Sequence, residues 1–197
     1  MTQKIKKFLK LSALALVMSA PTWVHAHTGH TATAFSGLTD GLFHPFTGLD
    51  HLAAMLAVGV WSAVAVRPVW MAPLAFVVML TLGALLGFAG VQVPAVEPMI
   101  AASLLVIGLL MARRQNMPWT AAAALAGVFA VFHGAAHGSE LSAVQAWSAL
   151  AGMVTGSALL HAAGVLIGQR MTNRPWLQRG TGGALALMGS SLLVGLV

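Results

Sequence analysis

The chain has no cysteine among its 197 residues. This absence excludes disulfide bonds, thiolate metal sites and cysteine nucleophiles. No G-x-x-x-x-G-K-[ST] motif, H-E-x-x-H motif or Ser/His/Asp nucleophile elbow occurs either, which excludes a P-loop ATPase and argues against the common hydrolases. We therefore expect the chain not to be an enzyme. Any transport that it performs must run downhill, be coupled to another ion, or be powered by a partner.

Charged residues are scarce. They make up 7% of the chain, against about 25% in an ordinary soluble domain. With 58% hydrophobic residues and a mean hydropathy of +0.86, so few charges cannot cover a globular surface, and the composition indicates a membrane protein. The pI of about 11.4 does not indicate nucleic-acid binding, because four of the ten basic residues lie at the extreme N-terminus: Lys4, Lys6, Lys7 and Lys10.

The first 26 residues resemble a secretory signal peptide. The basic stretch MTQKIKKFLK precedes the apolar stretch LSALALVMSA, and VHA at 24–26 is a small-x-small cleavage signal. The apolar run is shorter than the roughly 20 residues that a membrane span needs. We expect residues 1–26 to be cleaved, residues 27–43 to form a periplasmic N-terminal tail, and residues 44–197 to form the transmembrane domain.

Six further apolar segments follow the signal peptide, at approximately 45–66, 69–90, 95–112, 117–137, 141–168 and 176–197. Each is long enough to cross a hydrocarbon core of about 30 Å as a helix. Only helices or closed barrels can span lipid, and the segments lack the period-two alternation of barrel strands. The sequence therefore predicts an all-α membrane protein, a cleavable signal peptide followed by a six-transmembrane-helix bundle.

The arginines predict the orientation of this bundle. All six lie in or beside every second connection, at positions 67, 113, 114, 170, 174 and 179. The other connections and the tail carry Asp40, Glu97 and Glu140 and no basic residue. The positive-inside rule places the arginines in the cytoplasm, so we expect a multi-pass chain with both mature termini outside.

Glycines spaced four residues apart occur at 83 and 87, at 152 and 156, and at 164 and 168. Such pairs let helix backbones approach closely, so they predict a tightly packed bundle. They do not reveal what the bundle carries, and homo-oligomer formation stays open.

Seven histidines follow the signal peptide, and the predicted topology gathers six of them at the outer face. The six are His27, His30, His44, His51, His133 and His137, while His161 lies toward the inner side. Clustered imidazoles with a nearby carboxylate and no cysteine suit a borderline divalent transition metal. The candidate metal ligands are His44, Asp50, His51, His133 and His137.

Helix geometry refines this set. His133 and His137 lie one turn apart on one face, a spacing that can chelate a single ion, although Gly134 and Gly138 could unwind that end. His44 and His51 would be about 10 Å apart along an unbroken helix, too far for joint ligation. Pro45 and Gly48 between them make a local break plausible.

Asp50 has two interpretations. TGLD at 47–50 fits a capping box with Asp50 at its fourth position, and an acid in the first turn suits the helix dipole. Asp50 could equally contact the metal or orient a ligand histidine, which is compatible with a cap.

Four other residues are candidates for the ion's path: Met55, His161, His27 and His30. Met55 lies one turn from His51, but a methionine alone is more often a packing residue. His161 has two interpretations: it could form a hydrogen bond between helices, or it could line the path of the ion. After cleavage, the α-amine and imidazole of His27 could chelate metal together, whereas tail histidines are more often disordered.

The segment HPFTGLDHLAAMLAVG at 44–59 resembles the HupE/UreJ family of bacterial nickel permeases. The residues that fill the family signature are His44, Pro45, Gly48, Asp50, His51, Met55 and Gly59. The resemblance extends in outline to the signal peptide, the six spans and FHGAAHG at 132–138. It implies uptake of nickel, sometimes cobalt, across the inner membrane for hydrogenase or urease maturation. Downstream metallochaperones are the partners that it implies, and the ion is cargo, not a permanently bound cofactor.

Two other functions stay open beside metal transport. The chain could be a redox subunit that binds haem between His51 and His137, because axial histidines hold b-type haem. It could also be an assembly subunit of a metalloenzyme, without transport activity, whose histidines join helices.

Overall fold

The structure, a computed structural model, describes residues 37–139 and 145–196. Its helices are α1 (Leu38–Phe43), α2 (Leu49–Ala65), α3 (Met71–Phe88), α4 (Val96–Ala112), α5 (Trp119–Gly138), α6 (Ala146–Met171) and α7 (Pro175–Gly195). A 3-10 turn, His44–Phe46, joins α1 to α2, and two short strands, β1 (Val66–Arg67) and β2 (Met117–Pro118), pair in parallel. The signal peptide, His27, His30 and Glu140 lie outside the described residues.

The all-helical prediction is confirmed, and each of the six predicted spans corresponds to one of the helices α2–α7. Within the described residues, three helices are long and apolar enough to cross a membrane by themselves: α3, α5 and α6. The bent pair Leu38–Phe46 and Leu49–Ala65 is a fourth candidate, and α4 is apolar but shorter, at 17 residues. The chain is thus a helical membrane protein, whereas the full count of six spans stays a prediction.

The chain turns sharply before α2. The axes of Leu38–Phe46 and Leu49–Ala65 differ by 80°. Pro45 occupies the first turn of the 3-10 segment, and Gly48 precedes α2 with an extended backbone. A proline fits the first turn because its missing N–H would have no helical partner there. The break that Pro45 and Gly48 suggested is therefore present, and His44 and His51 are not on one straight helix.

Glycines let the helices approach in pairs. A Cβ on Gly83 or Gly134 would overlap backbone atoms across the α3–α5 contact, and one on Gly164 or Gly168 would do so across α2–α6. Carbonyl groups of α1 pack against Gly152 and Gly156 of α6 in the same way. The three predicted glycine pairs thus form helix contacts inside the chain, where the missing side chain is what permits close packing.

The α2–α6 and α3–α5 contacts have the same spacing. In the α2–α6 contact, Gly59 packs against the carbonyl of His161, and Gly164 packs against that of Leu56. In the α3–α5 contact, Gly134 packs against the carbonyl of Leu80, and Gly83 packs against that of Val131. Adding 75 to the residue numbers of these α2 positions gives the corresponding α5 positions. Adding 81 to those of the α3 positions gives the corresponding α6 positions. The two interfaces are therefore copies of one arrangement.

The α4–α7 contact completes this repeat. Gly108 meets the carbonyl of Gly182, and Gly182 meets the carbonyl of Gly108, so the antiparallel pair is reciprocal. Helices α2–α4 correspond to α5–α7, and the start of α2 lies against the end of α5. The halves are thus related by a pseudo-two-fold axis across the helices. This is the inverted repeat found in many secondary transporters.

The two ends of the bundle differ in charge. The six arginines lie at one end, which we call the arginine end; the opposite end, where α2 begins and α5 ends, is the histidine end. Trp70, Trp119 and Trp176 are exposed at the arginine end, and Trp147 is exposed at the histidine end. Tryptophans at both ends of an apolar bundle mark the two membrane–water interfaces.

Candidate metal centre

Four histidines meet at the histidine end. The 3-10 turn carries His44, the first turn of α2 carries His51, and the last two turns of α5 carry His133 and His137. The centroid of the His51 ring lies 4.9 Å from that of His133 and 4.3 Å from that of His137. His44 Nε2 lies 2.7 Å from His137 Nδ1 in a hydrogen bond. The bend before α2 is what brings His44 into this group.

Asp50 contacts His51 and does not complete a capping box. Its Oδ1 accepts the backbone N–H of His51 at 2.9 Å and lies 3.1 Å from His51 Nδ1. Gly48, not Thr47, is the N-cap residue of α2, and the Thr47 hydroxyl donates to the carbonyl of His44. The capping-box prediction is therefore wrong, because the 3-10 turn engages Thr47 before the helix starts.

The Asp50 contact determines which nitrogen of His51 carries the proton. A carboxylate oxygen can only accept, so His51 Nδ1–H donates and the Nε2 lone pair points into the protein, where Nε2 is buried. A carboxylate that holds one imidazole nitrogen while the other faces a metal is a frequent arrangement in metal sites. Asp50 thus fixes the orientation of the His51 ring and leaves the Nε2 lone pair available.

Ser103 has the same effect on His133. The Ser103 hydroxyl donates its single proton to the carbonyl of Ile100 at 2.6 Å. His133 Nε2, 3.1 Å from the same oxygen, must then be the donor. The Nδ1 atom of His133 therefore carries its lone pair, and this atom is buried.

Helix α5 stays regular to its end. It runs unbroken to Gly138, so the glycines beside His133 and His137 do not unwind it. Gly134 and Gly138 instead face the backbone of α3 at Leu80 and Ala84. The two histidines therefore keep their one-turn spacing on one helix face, and the predicted unwinding is wrong because close packing against α3 uses those glycines.

The ring spacing suits a shared ion. Two imidazoles that bind one metal at about 2.1 Å place their ring centroids about 4.5–5.3 Å apart, for bond angles between octahedral and tetrahedral values. The His51–His133 spacing of 4.9 Å lies in that range, and the His51–His137 spacing of 4.3 Å lies just below it. In residues 37–139 and 145–196, no group of three or more potential ligands is already arranged around a metal position. For these two histidines to bind the ion together, the proton in the hydrogen bond between His44 Nε2 and His137 Nδ1 would have to leave.

Beneath this group, the Phe76 ring separates His133 from His161. Its centroid lies 5.4 Å from that of His133 and 4.8 Å from that of His161. His161 Nδ1 donates to the carbonyl of Met55 at 2.7 Å, one turn below His51. His161 therefore lies near the middle of the bundle and not close to the arginine end.

A cavity of about 350 Å³ opens at the histidine end of the bundle. The ends of α3 and α5 and the start of α4 line it, with Glu97 as its acidic side chain and Ile100 on the side of Ser103. Glu97 lies in the first turn of α4, where a carboxylate is favoured by the helix dipole. The cavity thus combines a negative charge with a position next to the residues that hold His133.

The comparisons with known proteins agree with the resemblance that the first span suggested. A family model described as "HupE / UreJ protein" matches residues 14–192. The chain belongs to the HupE/UreJ family. Protein HupE of Rhizobium leguminosarum bv. viciae is 38% identical over 193 residues, which cover 96% of this chain and all of that relative. No solved structure gives a significant match.

The sequence patterns did not identify two residues that contact His133: Ser103 and Phe76. Ser103 is a polar residue in the apolar helix α4, and such residues usually meet a partner on another helix, so that signal was available. Phe76 is one of several phenylalanines in apolar runs. Only its position between two histidines distinguishes it, and no sequence pattern contains that information.

Proposed function

We infer that this chain is a permease for a divalent transition-metal ion. The observation that carries the inference is the buried histidine group, in which Asp50 and Ser103 turn the lone pairs of His51 and His133 inward. Imidazole lone pairs without thiolates suit nickel, cobalt, copper or zinc, and family membership favours nickel or cobalt. The proposed ligands are His44, His51, His133 and His137.

In this proposal the ion is captured at the periplasmic side of the bacterial inner membrane. The histidine end would face the periplasm and both mature termini would lie there, because the arginine end would face the cytoplasm. Met55 and His161 would follow along the path, and His27 and His30 would collect metal on the tail. Metallochaperones for hydrogenase or urease maturation would receive the ion.

Haem binding fits this geometry poorly. Two axial histidines on opposite faces of one iron place their ring centroids about 6 Å apart. His51 and His137 are 4.3 Å apart and tilted, which leaves no room for a porphyrin plane between them. Assembly of a metalloenzyme without transport is the alternative that an uptake experiment must separate.

The test of the proposed function is metal uptake by sealed vesicles that contain the purified full-length chain. We expect nickel to enter, with cobalt measured in parallel to determine selectivity, and empty vesicles as the control. If vesicles that contain folded protein accumulate neither ion, this result would contradict transport and favour the assembly role.

The Asp50→Asn variant separates the roles of Asp50. Asparagine keeps an acceptor for His51 Nδ1–H but removes the negative charge beside the imidazole ring. We expect the apparent affinity for nickel in uptake to fall by about 10–100-fold, the usual cost of losing such a partner. In Asp50→Ala the apparent affinity for nickel should fall further, because this variant also loses the hydrogen bond to His51. Uptake by Asp50→Asn with unchanged affinity would reduce Asp50 to a hydrogen-bonding residue.

A further inference from the structure

His161 presents a buried nitrogen to the centre of the bundle. It lies in the middle of α6 with 1% of its surface exposed. The carbonyl of Met55 can only accept a hydrogen bond, so His161 Nδ1 carries the proton and Nε2 carries the lone pair. Within the described ranges, this Nε2 atom is buried and has no hydrogen-bond partner. His161 thus has the protonation pattern of a metal ligand, with its orientation set by a backbone carbonyl.

Ser157 provides a second buried polar atom on the same helix face. It precedes His161 by one turn, is fully buried, and its hydroxyl also has no partner among residues 37–139 and 145–196. A helical serine or threonine normally donates to the carbonyl four residues earlier, as Thr155 and Ser190 do here. An apolar interior disfavours an unsatisfied hydroxyl, so two such groups one turn apart indicate that something polar binds between them.

Phe76 divides this place from the histidine group above it. The ring is fully buried and lies between the rings of His133 and His161. An ion that leaves the upper histidines therefore meets an apolar barrier before it reaches His161. Two binding places separated by a movable side chain are typical of conduction by successive sites.

The internal repeat places this location at mid-depth. The shift that relates α3 to α6 pairs Leu80 with His161, and it also pairs Phe76 with Ser157. Leu80 lies at the middle of α3 and His161 lies near the middle of α6, so the pseudo-two-fold axis passes close to the level of this pair. Transporters built from inverted repeats bind their substrate at this level, near the membrane midplane.

We propose that His161 Nε2 and Ser157 Oγ form a second station for the transported divalent metal ion, below Phe76 and distinct from the upper histidine group. Two protein ligands, with water completing the coordination, make it weaker than the upper group, so the ion can leave it. The proposal rests on the proposed function, because it takes the ion from the upper histidines as its source.

The first experiment counts nickel ions bound to the purified full-length chain in detergent by equilibrium dialysis. Asparagine places an amide nitrogen where histidine has Nδ1, so His161→Asn keeps the bond to the Met55 carbonyl and removes Nε2. We expect two ions per wild-type chain, the weaker one absent in His161→Asn and about tenfold weaker in Ser157→Ala. His51→Asn should lose the tighter ion instead.

The second experiment uses the absence of cysteine from the chain. In Ser157→Cys, nickel should produce a thiolate-to-metal charge-transfer band, since a thiolate beside His161 binds this class of ion. The buried control Ser62→Cys, whose serine donates to the carbonyl of Val69, should produce none.

The outcomes separate the two proposals. One bound ion that is unchanged in His161→Asn, or no band in folded Ser157→Cys, overturns the second station and leaves the permease intact. No nickel bound to folded wild-type protein overturns the permease itself. If His161→Asn does not fold, the cysteine pair decides alone.

Discussion

We expect nickel uptake to fall to background in the His51→Asn variant, while the protein still folds. His51 lies at the centre of the histidine group, with ring contacts to both His133 and His137. Asparagine retains a donor at the position of Nδ1 for Asp50, so the helix start is preserved and only the Nε2 lone pair is lost. Cells that produce the variant would be compared with wild type for radioactive nickel uptake.

The control for this prediction is His51→Ala, which removes the Asp50 contact as well. We expect both variants to lose uptake, but only the alanine variant to lower the melting temperature in detergent appreciably. Wild-type uptake by both, or by His51→Asn together with Asp50→Ala, would show that the ion is bound elsewhere.

Gly134→Ala is expected to cause a large loss of stability. The added Cβ would overlap the carbonyl oxygen of Leu80 and come within 2.8 Å of its carbon, and these backbone atoms cannot rotate away as a side chain can. Overpacking of this kind costs about 1–3 kcal/mol or more, because the helices must separate. Uptake should fall too, since His133 and His137 flank Gly134 on the helix that moves.

Gly180→Ala is the matched control. No atom lies within 4 Å of a Cβ at that position, and alanine favours helix more than glycine does by about 1 kcal/mol. We expect thermal unfolding in detergent to show Gly134→Ala destabilised and Gly180→Ala unchanged or slightly stabilised. Equal melting temperatures for the two variants would contradict the close α3–α5 contact.

The histidine positions show how far sequence reasoning could reach. The i, i+4 spacing of His133 and His137 is a property of one helix, so it could be predicted. The break at Pro45 and Gly48 could be anticipated, because both residues have strong local preferences. Its 80° angle could not, and that angle decides that His44 meets His137.

Two local interpretations failed because other contacts competed with them. Asp50 and Thr47 have capping-box spacing, but the 3-10 turn engages Thr47 first and moves the helix start to Gly48. Gly134 and Gly138 look like breakers of helix α5, but α3 packs against them and keeps the helix intact. The first competing contact is local, between Thr47 and His44, and the second is tertiary, between α3 and α5.

The sequence by itself determined the helical membrane class, the helix positions and the family, because hydropathy, glycine spacing and the segment from His44 to Gly59 are local properties. Asp50, the neighbour of His51 in the chain, assigns the proton of that histidine locally. Only the tertiary structure decided which nitrogen of His133 and of His161 carries a proton, since Ser103 and the Met55 carbonyl make those assignments from other helices. It alone also revealed the repeat and the position of His161. Helix pairing depends on which glycine faces which carbonyl, and no single segment of the chain contains that information.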